Sequence, residues 1–171
     1  MAMQEDVRRG RSVVYSLTVH LVFVTKYRRG AITDRVREHL RNTCRDVCVK
    51  MGAELRELDG EDDHIHLLVG YPPKLSISRL VNSLKLVSAR LLRKRDFPEV
   101  RRKLWGNHFW TPSYYAGSCG GASLQTVKRY IQDQRHPPIA GARPGLSFAL
   151  AGFARRLRSR RGLATLGGSS G

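Results

Sequence analysis

Two short segments of this chain hold residues whose types and spacing could do chemistry. The first is residues 63–66 (DHIH), and the second is residues 130–134 (YIQDQ). Side chains two apart project from the same face of a strand, and side chains four apart share one face of a helix. Together the segments could supply two imidazole ligands, an amide oxygen ligand and a phenolic nucleophile. In a strongly basic chain, a nucleic-acid phosphate is the obvious electrophile for that phenol.

Each segment also has a simple structural interpretation. Histidines two apart occur in folded cores as well as in zinc hydrolases and cupins. Tyr130 alone would be an ordinary half-buried helix tyrosine, whereas Gln134 is unusual because an amide at a helix end beside a core needs a partner. Gln132 points about 200° away from Tyr130 and is the poorer ligand. Asp133 fits a solvated carboxylate at a helix end better than a metal ligand.

The elements that must position these segments follow one recognisable order. Runs of β-branched and aromatic residues predict strands at residues 12–26, 53–58, 63–71 and 109–116. Apolar stripes at helical spacing predict helices at 34–51, 76–97 and 124–134. The order β-α-β-β-α-β predicts an α+β, ferredoxin-like (split βαβ) antiparallel sheet with helices on one face. An extra C-terminal helix then carries the tyrosine.

Alternation along the strand at 63–71 predicts which histidine neighbours share a face. His64, His66 and Leu68 would lie on one face of the sheet, whereas residues 65, 67 and 69 would pack on the other. Two imidazoles at one end of a sheet face are suitably placed to bind a metal ion.

The charge of the chain narrows the classes of partner that it could bind. It has 31 Lys and Arg against 14 Asp and Glu, a net charge of +17, and a pI near 10.9. Such an excess favours nucleic acid first and an anionic membrane surface second, although a structural RNA-binding protein would show the same balance. Residues 139–171 hold six arginines and no acidic residue, which leaves +11 in the rest. We therefore predict a folded domain at 12–138 and a basic, flexible tail at 139–171.

The cysteine count and hydropathy favour a reducing compartment. Three cysteines without a CxxC pair argue against a disulfide framework or a zinc ribbon. The N-terminus is polar, and the sequence has no apolar run approaching the roughly 20 residues of a membrane span. We expect a cytoplasmic, nucleoid-associated protein with no membrane segment.

Several segments, taken in their order, resemble the single-tyrosine HUH transposases of the insertion-sequence 200/605 group. The similarity runs from Val13 to His136. It is carried by YSLTVHLVFVTKYRR, DHIHLLV, PPKLSISRLVNSLK, LWGNHFWTPSYYAGS and VKRYIQDQ. One departure is Leu86, where family members often have glycine after the lysine; it touches no catalytic position.

The resemblance implies a function and a role for particular residues. It implies an enzyme that cleaves and rejoins single-stranded DNA at hairpin-marked ends through a 5′-phosphotyrosine. His64, His66 and Gln134 would then bind a divalent metal, Mg²⁺ or Mn²⁺, and Tyr130 would be the nucleophile. Because excising an element takes two cleavages and each chain has one such tyrosine, the resemblance also implies a homodimer. Residues 117–121 are a candidate hinge for the tyrosine helix, or a simple glycine-rich turn.

The basic residues nearest these motifs, and one tyrosine among them, are candidates for DNA contacts. They are expected to bind phosphates and to stack on bases. The set comprises Lys26, Tyr27, Arg28, Arg29 and Lys85.

Two other functions remain open from the sequence. A domesticated HUH nuclease acting on dispersed hairpin repeats would use the same chemistry. A non-catalytic nucleic-acid-binding module could share the fold, but such modules usually carry a Lys/Arg-Gly-Phe-type motif, which this sequence lacks.

Overall fold

The computed structural model describes residues 7–103 and 108–119, together with positions 126 and 129, but not the side chain of Arg28. The predicted domain boundary at 138 and the tail at 139–171 lie outside these residues. Of the helix predicted at 124–134, the structure describes only Thr126 and Arg129, both of them helical. No helix within the described ranges is long and apolar enough to cross a bilayer.

The described residues form six strands, three α-helices and one 3-10 turn. In chain order they are β1 (Arg8–Arg9), β2 (Val14–Tyr15), β3 (Thr18–Val24), a 3-10 turn (Lys26–Arg28), α1 (Asp34–Lys50), β4 (Glu54–Gly60), β5 (His64–Gly70), α2 (Ile77–Arg95), α3 (Pro98–Lys103) and β6 (Tyr115–Ser118).

The main sheet has the strand order β4-β5-β3-β6, and every neighbouring pair is antiparallel. The strands that open and close the βαββαβ unit, β3 and β6, lie side by side, and β5 lies on the other side of β3. The predicted ferredoxin-like α+β fold is confirmed. Strands β1 and β2 form a separate two-stranded sheet.

The two long helices begin at side-chain caps that the sequence contains. Thr33 Oγ1 accepts a hydrogen bond from the backbone N–H of Val36 at 3.3 Å, and Ser76 Oγ accepts one from Arg79 at 3.4 Å. Such caps satisfy backbone donors that the first turn leaves unpaired. After α1, Gly52 adopts a φ of 70°, which allows the chain to turn into β4.

The hydrophobic core lies between the sheet and the helices. Alternate residues of the central strands face it, and apolar residues of α1 and α2 complete it. The strand side chains include Val19, Leu21, Phe23, Ile65, Leu67 and Val69, all with 0% exposure. The helix side chains include Leu40, Cys44, Cys48, Leu80 and Leu84.

The first and last predicted strands differ from the structure. The run at 12–26 is interrupted at residues 16 and 17, because Val14 and Tyr15 pair with β1 whereas β3 begins at Thr18. The strand predicted at 109–116 is displaced to Tyr115–Ser118. Only Trp110 forms an isolated bridge, to Thr25, and Pro112 lacks the N–H that a continuous strand would need.

Two further local expectations need correction. Residues 117 and 118 pair with β3, so the first part of the predicted hinge at 117–121 is strand. Its last two residues lie outside the described ranges. Helix α3 was not predicted; Pro98 ends the expected range of α2 but also begins a new helix, since proline is favoured in the first turn.

Candidate functional site

The two predicted histidine ligands lie side by side on the sheet face opposite the core. In the register of β3 and β5, Val22 is opposite His66 and Val24 is opposite His64. The two imidazole centroids are 5.0 Å apart and the rings meet edge to face. The structure therefore brings both imidazoles to one place, as alternation along β5 predicts.

His64 is held by the residue that precedes it. Its side chain is 15% exposed, and its Nδ1 lies 2.6 Å from Oδ1 of Asp63. The turn before it depends on Gly60, where an added Cβ would lie only 2.3 Å from the carbonyl oxygen of His64. This close approach fixes the start of β5. With Nδ1 engaged, Nε2 is the atom through which His64 would bind a metal.

His66 is held by a third histidine that the sequence analysis did not identify. Nε2 of His20 lies 3.0 Å from Nδ1 of His66, and the rings stack with centroids 5.2 Å apart. His20 is 1% exposed and His66 is 2% exposed. Burial lowers the pKa of His20 from 6.5 to about 4, so this imidazole is neutral at pH 7.

Two acidic residues add oxygen donors beside His64. One ligand atom from each of Glu61, Asp63 and His64 can be chosen so that all three lie within 4.8 Å of one another. Such a mixed nitrogen and oxygen set suits Mg²⁺ or Mn²⁺. Neither carboxylate was predicted as a ligand from the sequence. The spacing of Glu61 and Asp63 from the histidine pair was the available signal.

The basic turn, residues 26–29, is anchored beside the start of β5 through the residue that precedes it. The backbone N–H and the hydroxyl of Thr25 both donate to the carbonyl oxygen of Asp63, at 2.9 and 3.0 Å. Beyond it, Tyr27 adopts a φ of 65° and is 50% exposed. Nζ of Lys26 and Cζ of Arg29 lie 5.1 and 5.8 Å from the tyrosine ring centroid. An exposed aromatic ring with two cations near it thus lies two residues beyond the contact between Thr25 and Asp63.

Comparison with known proteins identifies the family. The family model described as "Transposase IS200 like" matches residues 13–134. The ISDra2 transposase TnpA of Deinococcus radiodurans is 32% identical over 129 residues, covering 75% of this chain and 91% of that protein. This chain belongs to the IS200-like transposase family. The transposase is also 28% identical over 137 residues to the transposase of insertion sequence element IS200 from Salmonella typhimurium, covering 80% and 89% of the two chains.

Solved structures agree with the fold of the transposase. A crystal structure of a candidate transposase from Deinococcus radiodurans R1 superposes with a TM-score of 0.61 at 35% identity, covering 74% of this chain and 97% of that one. A REP-associated tyrosine transposase bound to a REP hairpin has a TM-score of 0.53 at 14% identity, with 77% and 75% covered. The second likeness shows the fold alone. The family resemblance is confirmed, and the protein is an enzyme that acts on DNA.

Lys85, a predicted DNA contact, is engaged within the transposase. Its ammonium donates to the carbonyl oxygens of Thr111, Pro112 and Ser113, at 2.5, 3.1 and 3.1 Å. Burial lowers its pKa from 10.5 to about 8. These contacts hold the segment before β6, and a role in DNA binding stays a prediction. The neighbouring Leu86 is 69% exposed, so the departure from the family pattern faces solvent.

The predicted nucleophile Tyr130 and the predicted metal ligand Gln134 lie outside the described residues. The structure thus assembles one half of the predicted site, the imidazole pair with its orienting groups. The roles of Tyr130 as nucleophile and of Gln134 as third ligand stay predictions.

Proposed function

We propose that this transposase cleaves and rejoins single-stranded DNA at hairpin-marked ends, with Tyr130 as the nucleophile. The observation that carries the proposal is the pair His64 and His66. The two rings are adjacent on one sheet face, and each has its Nδ1 engaged by a neighbouring side chain. Orienting one nitrogen of each ring aims the other, which is the usual arrangement of metal-binding histidines.

The residues present fit a divalent metal. His64 and His66 would hold Mg²⁺ or Mn²⁺ through their Nε2 atoms, Gln134 would add an amide oxygen, and Glu61 or Asp63 offers a carboxylate nearby. A bound cation would polarise the phosphodiester and offset charge that develops during its cleavage.

The proposed step exchanges one phosphate ester for another. Oη of Tyr130 forms a bond to phosphorus, the bond from phosphorus to the 3′ oxygen breaks, and the phenolic proton is balanced by protonation of that leaving oxygen. The products are a 5′-phosphotyrosine and a free 3′-OH. Attack by another 3′-OH reverses the exchange and joins the strands. Because each step replaces one phosphate ester bond by another, strand transfer needs no nucleotide cofactor.

The basic turn is the proposed contact for the strand near the cut. Thr25, which precedes this turn, is hydrogen-bonded to Asp63, the residue before His64. The half-exposed Tyr27 ring offers a surface on which a base can stack, and Lys26, Arg28 and Arg29 would pair with phosphates.

A covalent-adduct gel tests the nucleophile. With Mn²⁺ and a hairpin-bearing single strand, the wild-type chain should form an adduct that resists denaturation, and Tyr130→Phe should form none while still binding the hairpin. Tyr15→Phe, which removes a phenol on β2, is the matched control and should react normally. An adduct that persists in Tyr130→Phe would refute the assignment. Hairpin binding without cleavage, unchanged in His64→Ala, would instead favour the non-catalytic module.

We further propose that the active unit is a homodimer, since each chain has one proposed nucleophilic tyrosine and excising an element takes two cleavages. Mixing inactive Tyr130→Phe with inactive His64→Ala tests whether the tyrosine acts on its own histidines or on the partner's. Recovery of adduct in the mixture requires the two halves to meet across protomers. Absence of recovery, with dimers still seen by light scattering, would place both halves in one chain.

A further inference from the structure

We propose that His20 is a positioning residue, which keeps the proton of His66 on Nδ1 so that Nε2 of His66 is presented to the metal. The inference rests on the proposed metal site and adds a residue from a different strand to it. His20 does not belong to the set of metal ligands predicted from the motifs.

The geometry joins two buried rings across neighbouring strands. His20 lies opposite Leu68, and His66 lies opposite Val22, so the two histidines are diagonal neighbours on one face. Their nitrogens are 3.0 Å apart and buried. At this distance one nitrogen must carry a proton and the other a lone pair, because two N–H groups or two lone pairs would repel.

Only one direction of this hydrogen bond is compatible with a metal on Nε2 of His66. A neutral imidazole that binds a cation through Nε2 carries its proton on Nδ1. Nδ1–H of His66 then donates to the lone pair of His20 Nε2, and His20 carries its own proton on Nδ1. That atom of His20 is buried and has no hydrogen-bond partner in the part of the chain that the structure describes. The protein therefore tolerates an unsatisfied donor where the hydrogen bond to His66 requires it.

The surroundings of His20 prevent it from turning away. Its backbone is in a central strand, paired with Leu68 on one side and Gly117 on the other. The ring of Tyr115 packs edge to face on it, with centroids 5.8 Å apart. Gly117 makes this packing possible, because an added Cβ there would lie 2.5 Å from Oη of Tyr115.

The choice of a neutral orienting group has a chemical consequence. His64 is oriented by the carboxylate of Asp63, whereas His66 is oriented by an imidazole. A carboxylate in the buried place of His20 would add a second negative charge beside a site that must accept a phosphate. His20 fixes the ring and the tautomer of His66 without that charge.

The test measures Mn²⁺ affinity and the position of the proton. In His20→Phe, which keeps a flat ring but no acceptor, Mn²⁺ should bind about 10–100-fold more weakly, measured by electron paramagnetic resonance of free Mn²⁺. His20→Gln retains an acceptor oxygen near the same position and should recover most of the affinity. In the metal-free wild type, ¹⁵N NMR of the imidazoles should show the proton of His66 on Nδ1.

Separate outcomes distinguish this inference from the metal site itself. If His66→Ala binds Mn²⁺ like the wild type, the metal site is wrong and the inference fails with it. If His66→Ala loses Mn²⁺ but a folded His20→Phe retains full affinity, only the role of His20 is refuted. Should His20→Phe not fold, the wild-type NMR spectrum still decides, because a proton on Nε2 of His66 overturns the proposal.

Discussion

The two faces of the four-stranded sheet carry different kinds of buried side chain, although the same strands build both. On β3, Val19, Leu21 and Phe23 face the helices with 0% exposure. The intervening His20 and Val22 face the other way and are also buried, at 1% and 3%. One face is an apolar core, and the other surrounds a pair of hydrogen-bonded imidazoles.

The difference shows how one sheet serves both stability and chemistry. Apolar burial against helices supplies most of the driving force for folding. Burying an imidazole is unfavourable unless it is hydrogen-bonded, and His20 and His66 satisfy one another in part. Substitutions on the helix-covered face should therefore reduce stability, whereas those on the histidine face should reduce metal binding and cleavage.

The largest effect is expected from the helix-covered face. Phe23→Ala should lower the free energy of unfolding by about 3–5 kcal/mol, because it opens a cavity in the core. Urea denaturation measures it. Val14→Ala removes an apolar side chain that is 62% exposed and should change stability by less than about 0.5 kcal/mol. A similarly small change for Phe23→Ala would show that the helix-covered face does not dominate stability.

The next largest effect is expected from the opposite face. His66→Ala removes a proposed metal ligand and should lower the rate of adduct formation about 100-fold or more. Single-turnover assays with Mn²⁺ measure the rate, and urea denaturation checks folding. The exposed His108 offers a matched histidine, and His108→Ala should leave Mn²⁺ affinity unchanged. Equal rates of adduct formation for His66→Ala and His108→Ala would remove the distinction between the faces.

Lys85 sharpens the comparison, since it is a predicted DNA contact whose ammonium group is hydrogen-bonded within the fold. Lys85→Met should lower stability by about 2 kcal/mol, because three carbonyl oxygens lose a charged donor. Lys74→Met, at an exposed position, should not. If Lys85→Met weakens hairpin binding but leaves stability intact, the lysine serves the DNA and not the fold.

Substitution of Tyr27 is expected to affect DNA binding and not to reduce stability, the reverse of what is expected for Lys85. Tyr27→Gly should weaken single-strand binding about tenfold through lost base stacking. It should also stabilise the fold slightly, because glycine adopts a φ of 65° without strain. Tyr27→Phe retains the ring and should bind normally. Fluorescence anisotropy with a labelled hairpin measures binding, and unaltered affinity in the glycine variant would exclude stacking here.

The smallest effect is expected at a helix cap on the core side. Thr33→Ala should cost about 1 kcal/mol, because the N–H of Val36 loses its acceptor. Thr33→Ser retains the hydroxyl and should be close to the wild type in thermal unfolding. Neither variant should alter Mn²⁺ affinity; a change in affinity would mean that the two faces are coupled.

Much of the fold and half of the site could be predicted from local patterns. Alternation along residues 63–70 determined that His64 and His66 share a face, because strand geometry has a period of two. Apolar stripes at helical spacing determined the two long helices to within one or two residues at each end. The segment from Val13 to His136 determined the family through motifs in a fixed order.

Tertiary structure decided the partners of these residues. His20 and His66 are 46 residues apart, and only the register of β3 against β5 makes them neighbours. Lys85 likewise reaches carbonyl oxygens 26 to 28 residues away. Periodicity tells which face a side chain takes, since it reflects the local backbone. Which side chain meets it there depends on how strands distant in sequence align, and that is decided only when the sheet and core assemble.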